Sequence, residues 1–180
     1  MGHSGSALPM NTITFLAVLG LATAPIKGPV VVENARTEEG IRPVIEAFRA
    51  SIQQKDKARF LALFAPGTVV WQSVRGDDSL RHVRQTQPGA AKLALNPGNS
   101  PQSFIDKIVE SPARIDEVFR DVRIDTDGDI ASVTFDFSFQ RDGVEINRGR
   151  EAWQLVHTDA GWRIIAVIWS TQLPAGPAGS

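Results

Sequence analysis

The chain of 180 residues contains no cysteine and no tyrosine, and only three histidines. Without cysteine there is no disulfide framework, no thiol nucleophile and no cysteine-ligated metal. Without tyrosine no phenol can give a proton to a substrate. His3, His82 and His157 stand too far apart in sequence for a recognisable metal spacing, so neither a metal nor a cofactor is expected. An excess of one charge is also missing: 19 Lys and Arg face 20 Asp and Glu, a net −1. A duplex-binding stripe shows as a basic excess, so no nucleic-acid partner is expected. Nor is any apolar run long enough for stable membrane insertion. The run from Ile13 to Ala24 has twelve residues, where a spanning helix takes about 20. What remains, 42% apolar and 22% charged residues, is enough for one packed domain.

That apolar run is expected to be a leader. Ala22-Thr23-Ala24 has the small-x-small form of a signal-peptidase site, which predicts an exported, periplasmic or secreted protein. The alternative is a cytoplasmic chain with an apolar N-terminal extension, because no Lys or Arg precedes the run and Pro25 follows it. Met10 is a second candidate start. The expected organisation is a leader or extension over 1–30 (signal peptide 1–24), one domain over 31–170, and a loose tail over 171–180.

Within the domain, Ile41, Val44, Ile45, Phe48 and Ile52 recur at helical period, predicting a helix over 37–54 despite Pro43. A short helix follows from Asp56 through Phe64 and stops at Ala65-Pro66-Gly67, and Thr68–Ser73 reads as a strand. Residues 74–100 read as a long loop. Ser100-Pro101 then opens another helix, which Ser111-Pro112 closes. Val118–Ile124, Ala131–Phe139, Val144–His157 and Trp162–Ser170 read as four antiparallel strands joined by turns at Asp127-Gly128, Asp142-Gly143 and Asp159-Ala160-Gly161. Helices segregated from a run of hairpins predict an α+β domain, with N-terminal helices packed in a strongly curved antiparallel sheet.

Two stretches carry a family resemblance. IRPVIEAFRASIQQKDKARFLALFAPGTVVW resembles the opening helices and first strand of the NTF2-like superfamily, and GREAWQLVHTDAGWRIIAVIWS its last two strands. The resemblance spans about residues 36–170 and implies the cone fold of the SnoaL-like and ketosteroid-isomerase-like proteins. It is specific for fold and unspecific for activity, since the superfamily includes isomerases, dehydratases, cyclases and proteins that only bind something in the cone. Sheet-to-sheet pairing is frequent among similar proteins, so a homodimer is also implied. The steroid-isomerase arrangement needs a tyrosine donor beside its acid, and this chain has none.

Three residues are candidates for catalysis. His82 lies between Arg81 and Arg84 on the predicted loop; an imidazole near pH 6.5 suits a general base or a contact to an anionic group, although the simpler reading is an exposed loop histidine between solvated arginines. Glu117 and Glu151 fall on predicted strands, where a carboxyl facing an apolar cone would hold its proton more tightly. Their strands alternate imperfectly, so neither can be given a face. Asp136 alternates with Phe135 and Phe137 and points the other way. For a ligand in the cone the candidates are Trp71, Phe119, Phe135, Phe137, Trp153 and Trp169, with His82 and Arg84 at its mouth. The expectation is a small apolar or planar molecule bound in the cone. The alternative is a cofactor-independent isomerase or lyase with a cavity histidine or carboxylate as base.

Overall fold

The computed structural model describes residues 37–93 and 95–174; the apolar run at 13–24 and residues 175–180 of the tail lie outside the described residues. The elements are α1 (Glu38–Gln54), α2 (Lys57–Leu61), β1 (Val70–Arg75), α3 (Asp77–Arg84), α4 (Pro101–Glu110), β2 (Ile115–Thr126), β3 (Ile130–Arg141), β4 (Val144–Thr158) and β5 (Gly161–Thr171). One sheet holds all these strands in the order β1-β5-β4-β3-β2. The hairpin-linked strands form its antiparallel part, and β1 joins the far edge parallel to β5, with Trp71 opposite Val167.

The apolar stripe of α1 buries Ile41, Ile45, Phe48 and Ile52 against the inner face of the sheet. Pro43 sits on the exposed side, where its missing N–H leaves one turn's hydrogen bond unmade without stopping the helix. A two-pronged ion pair fixes the helix across the sheet: Arg49 Nε and Nη2 donate to Asp116 Oδ1 and Oδ2 at 3.0 and 2.9 Å. Lys55 Nζ donates to the Ser111 carbonyl and ties the helix end to the end of α4. Phe48 stands at the centre, with ring centroids 4.8 Å from Phe60 and 4.7 Å from Trp153.

Three bulges bend the sheet around α1. One lies on β2 between Arg120 and Arg123, with Asp121 in the left-handed region at φ 53°. Another lies on β4, where Phe139 faces Asn147 but Gln140 faces Glu145. The third lies on β5, where Leu155 faces Ile164 but Gln154 faces Ala166. Each inserts one unpaired residue, sharpens the local twist and resets which residues point inward. The Asp142-Gly143 turn has φ of 52° and 81°, the mirror-image two-residue turn whose twist matches a hairpin.

Residues 74–100 depart from the expected loop, because they contain α3. Its sequence DDSLRHVR puts acids in the first turn and bases in the last, which suits the helix dipole. It buries only Ser79 and Leu80, so it has no apolar stripe to read. The beginning of the expected tail is also part of the fold. Gln172 exchanges backbone hydrogen bonds with Arg148, and the Leu173 N–H donates to Ser79 Oγ at 2.9 Å. Among the described residues no helix is long and apolar enough to cross a membrane.

Candidate functional site

Inside the bend lies a cavity of about 190 Å³. Its walls are aromatic: Phe48 of α1, Trp71 of β1, Phe104 of α4, Phe137 and Phe139 of β3, and Trp169 of β5. Three polar side chains enter it, Glu117 of β2 and Asn147 and Glu151 of β4. Phe104, Phe139, Asn147 and Trp169 are half-buried, whereas Glu117 and Glu151 are 3% and 5% exposed. The carboxyls therefore sit at the floor.

Strand register brings the two acids together from opposite sides of β3. Glu117 lies opposite Phe139 and Glu151 opposite Phe135, so the two acids flank Phe137 on a diagonal. Phe137 faces Gly149, and its ring lies 3.0 Å from where a Cβ on that glycine would stand. The Ser170 carbonyl is nearer still, at 1.8 Å from the same point. Any side chain there would push β4 off β5. Glycine thus lets the backbones close up beside the acids.

The acids are hydrogen-bonded to each other. Trp153 Nε1 also donates to Glu151 Oε2 at 2.7 Å, from two residues along the same face of β4. Burial raises Glu117 well above the ordinary carboxyl range, and the neighbouring Glu151 and Asp116 charges push the same way. Burial also raises Glu151, to about 7, while the hydrogen bonds from Trp153 and Glu117 hold it down. Of the two, Glu117 is raised well above the ordinary range and Glu151 only to about 7, so Glu151 is the first to ionise. Two carboxylates this close in an apolar site cannot both ionise at neutral pH. Among the described residues, no lysine, arginine or histidine lines the cavity to offset the charge.

The other candidates are distributed by burial and register. Trp71, Phe137 and Trp169 line the cavity. Phe119, Phe135 and Trp153 do not: they pack below its floor as core, with centroids 4.3 Å apart for Phe119–Phe135 and 5.0 Å for Phe135–Trp153. His82 and Arg84 are exposed in the last turn of α3, on a helix and not a loop, and neither reaches the cavity lining. Arg84 Nε donates to the Ala90 carbonyl at 3.0 Å. His157 packs edge-on against Trp162 at 5.1 Å. Asp136 is exposed and pairs with Arg150 at 3.4 Å on the outer face. The lining residues absent from the sequence-based set are Phe48, Phe104, Phe139 and Asn147. Phe139 continues the alternation of Phe135 and Phe137 and was legible in principle. Nothing in the local sequence marks Asn147.

No protein-family model and no curated protein matches the sequence. Solved structures do. An NTF2-like protein of unknown function from Pseudomonas putida KT2440 superposes with a TM-score of 0.56 at 12% identity, over 78% of this chain and 96% of that one. A candidate dehydratase of the NTF2-like family from Streptomyces avermitilis gives 0.51 at 17% identity, over 76% and 96%. An NTF2-like protein from Cytophaga hutchinsonii gives 0.51 at 13%, over 74% and 97%. The fold is NTF2-like, an α+β cone with an unclosed sheet. At these identities the likeness speaks for fold alone.

Proposed function

We propose that this chain holds one small, ring-sized molecule in the cone, against the Glu117–Glu151 pair, and exchanges a proton with it. The observation that carries this reading is a pair of adjoining buried carboxyls, Glu117 and Glu151, on the floor of an aromatic cavity. A purely structural core has little use for two buried carboxyls, since replacing such groups by apolar ones of similar shape is often neutral or stabilising. The volume supports the size class, because an apolar cavity of about 150 Å³ accepts a benzene ring. A carboxylate ionising near neutrality is suited to general-base work, and a neutral carboxyl beside it to general-acid work. Isomerisation or elimination by proton transfer is the reaction class this pair would serve.

Trp71 and Trp169 report on occupancy. Titration of single-ring compounds against tryptophan emission should find binders. Asn147→Phe, which fills the cavity from its half-buried edge, should abolish that response while keeping the fold. Equal binding by this variant would place the ligand elsewhere.

A second reading, pairing of two copies through the sheet, is favoured by a separate observation. On the outer face, Val70, Ile168 and Leu93 are 52%, 50% and 50% exposed. An apolar groove of about 470 Å³ runs there past Val74, Leu93, Ala152 and Ile168. Ile168→Lys should turn a dimer into a monomer in sedimentation; a monomeric parent chain would rule the pairing out.

A further inference from the structure

We infer that the cone selects a small organic cation, a ring-sized protonated amine, over neutral and anionic molecules of the same shape. This rests on the reading of the cavity as a ligand site and adds the charge class of the ligand.

The geometry supplies both halves of a cation site. One half is the floor, where the Glu117 and Glu151 carboxyls are buried side by side, with Trp153 Nε1 as the donor on Glu151 Oε2. The other half is the wall. Rings follow one another around it from Phe139 to Phe104 (centroids 6.1 Å), to Trp71 (5.3 Å) and to Trp169 (5.2 Å), inclined to their neighbours by 52–61°. Inclined rings enclose a space, where parallel ones would fill it by stacking. Tryptophan is the best of the aromatic partners for a cation within about 6 Å of the ring.

Among the described residues, no cationic side chain lines the cavity to compensate the buried carboxyls. The elements packed around the pair present Phe48 from α1, Phe104 from α4, Trp71 from β1, Phe137 and Phe139 from β3, and Trp169 from β5. From β4 come Asn147 and Trp153, and none of these titrates. On β2 the nearest further charge is Asp116, which is itself held by Arg49. An ammonium group would therefore meet one net negative charge and neutralise it. A neutral ligand would leave that charge as it is, and a carboxylate would double it. Inorganic cations fit less well, because calcium takes six to eight oxygens, more than the five that two carboxyls and one carboxamide hold. Apolar walls favour a cation that brings its own hydrocarbon.

The test uses the full chain and three probes of one shape: benzylamine, benzyl alcohol and benzoate, titrated at pH 8 and pH 5.5 by tryptophan emission. At pH 8 benzylamine should bind at least tenfold tighter than benzyl alcohol, and benzoate should not bind. At pH 5.5, with Glu151 protonated, that preference should shrink by about tenfold while benzyl alcohol binding holds. Glu151→Gln should show the low-pH pattern at both pH values. If benzyl alcohol binds as tightly as benzylamine at pH 8, or if the preference ignores pH, the cation inference falls and the ligand site stands. If none of the probes binds, both fall. The pH series needs no variant, so a misfolded Glu151→Gln would leave the test intact.

Discussion

Trp153 is the residue on which the character of the pair turns. Its indole N–H donates to Glu151 Oε2, on the same carboxyl that interacts with Glu117. A hydrogen bond to a charged group is worth about 1.5–3 kcal/mol, and one pH unit corresponds to about 1.36 kcal/mol. Trp153→Phe keeps a ring in the core but removes the donor. Glu151 should then ionise about one to two units higher, as followed by the carboxyl band in infrared titration. An unchanged midpoint would mean that burial alone sets it. The sequence put Glu117 and Glu151 among the candidates but could not place them inside. Two bulges, at Arg120/Arg123 and Asn147/Glu145, lie within a few residues of them and reset the alternation that would have told. His82 offers suitable chemistry, but it lies exposed on α3 and is not among the residues lining the cavity.

At the level of elements, the parts legible in the sequence were those with an unbroken period or a turn dipeptide. The stripe of α1, the alternation of Ala131 to Phe139, and the Asp-Gly turns all fall where they were expected. α3 was missed because two buried residues make no stripe, and its charges are as compatible with a loop as with a helix. α4 rests on a reciprocal cap, with Ser100 Oγ accepting from the Ser103 N–H at 3.1 Å and Ser103 Oγ from the Ser100 N–H at 3.0 Å. Ser100→Ala should cost about 1 kcal/mol in urea unfolding. Because α4 supplies Phe104, the same variant should weaken ligand binding if it loosens the wall. Gly149 makes a stronger demand. A methyl group there collides with the Ser170 backbone, which cannot swing aside like a side chain. Gly149→Ala should destabilise by about 3 kcal/mol, at the upper end of overpacking. A loss below about 0.5 kcal/mol, the range of an ordinary surface change, would show that β4 and β5 are not closed up there.

For the whole molecule, the buried pair gives stability a pH dependence opposite to that of most carboxylates. Glu151 holds its proton to about 7 in the fold, against an ordinary 4.5. The fold therefore binds more protons than the unfolded chain across that interval, and stability falls as pH rises through it. Two and a half units correspond to about 3 kcal/mol, fully present below about pH 4.5 and lost above about pH 7. Glu117, raised by the same burial, acts in the same direction. Asp116 acts oppositely, because its bond to Arg49 lowers it and that contribution disappears as pH falls below the ordinary carboxyl range. Thermal midpoints should be highest near pH 4–5 and drop by about 10 °C by pH 8. In Glu151→Gln the drop should be much smaller. Parallel curves for the two proteins would argue against a buried proton-sharing pair.

The most direct measurement is a carbon-13 NMR titration of the labelled glutamate side chains in the full chain between pH 4 and pH 10. One carboxyl, lost from the spectrum in Glu151→Gln, should titrate near 7, and a second, lost in Glu117→Gln, should titrate well above the ordinary carboxyl range. If every glutamate in the wild-type protein instead titrates between about 4 and 5, the ordinary range, the cone has no acid–carboxylate floor and the functional reading built on it fails.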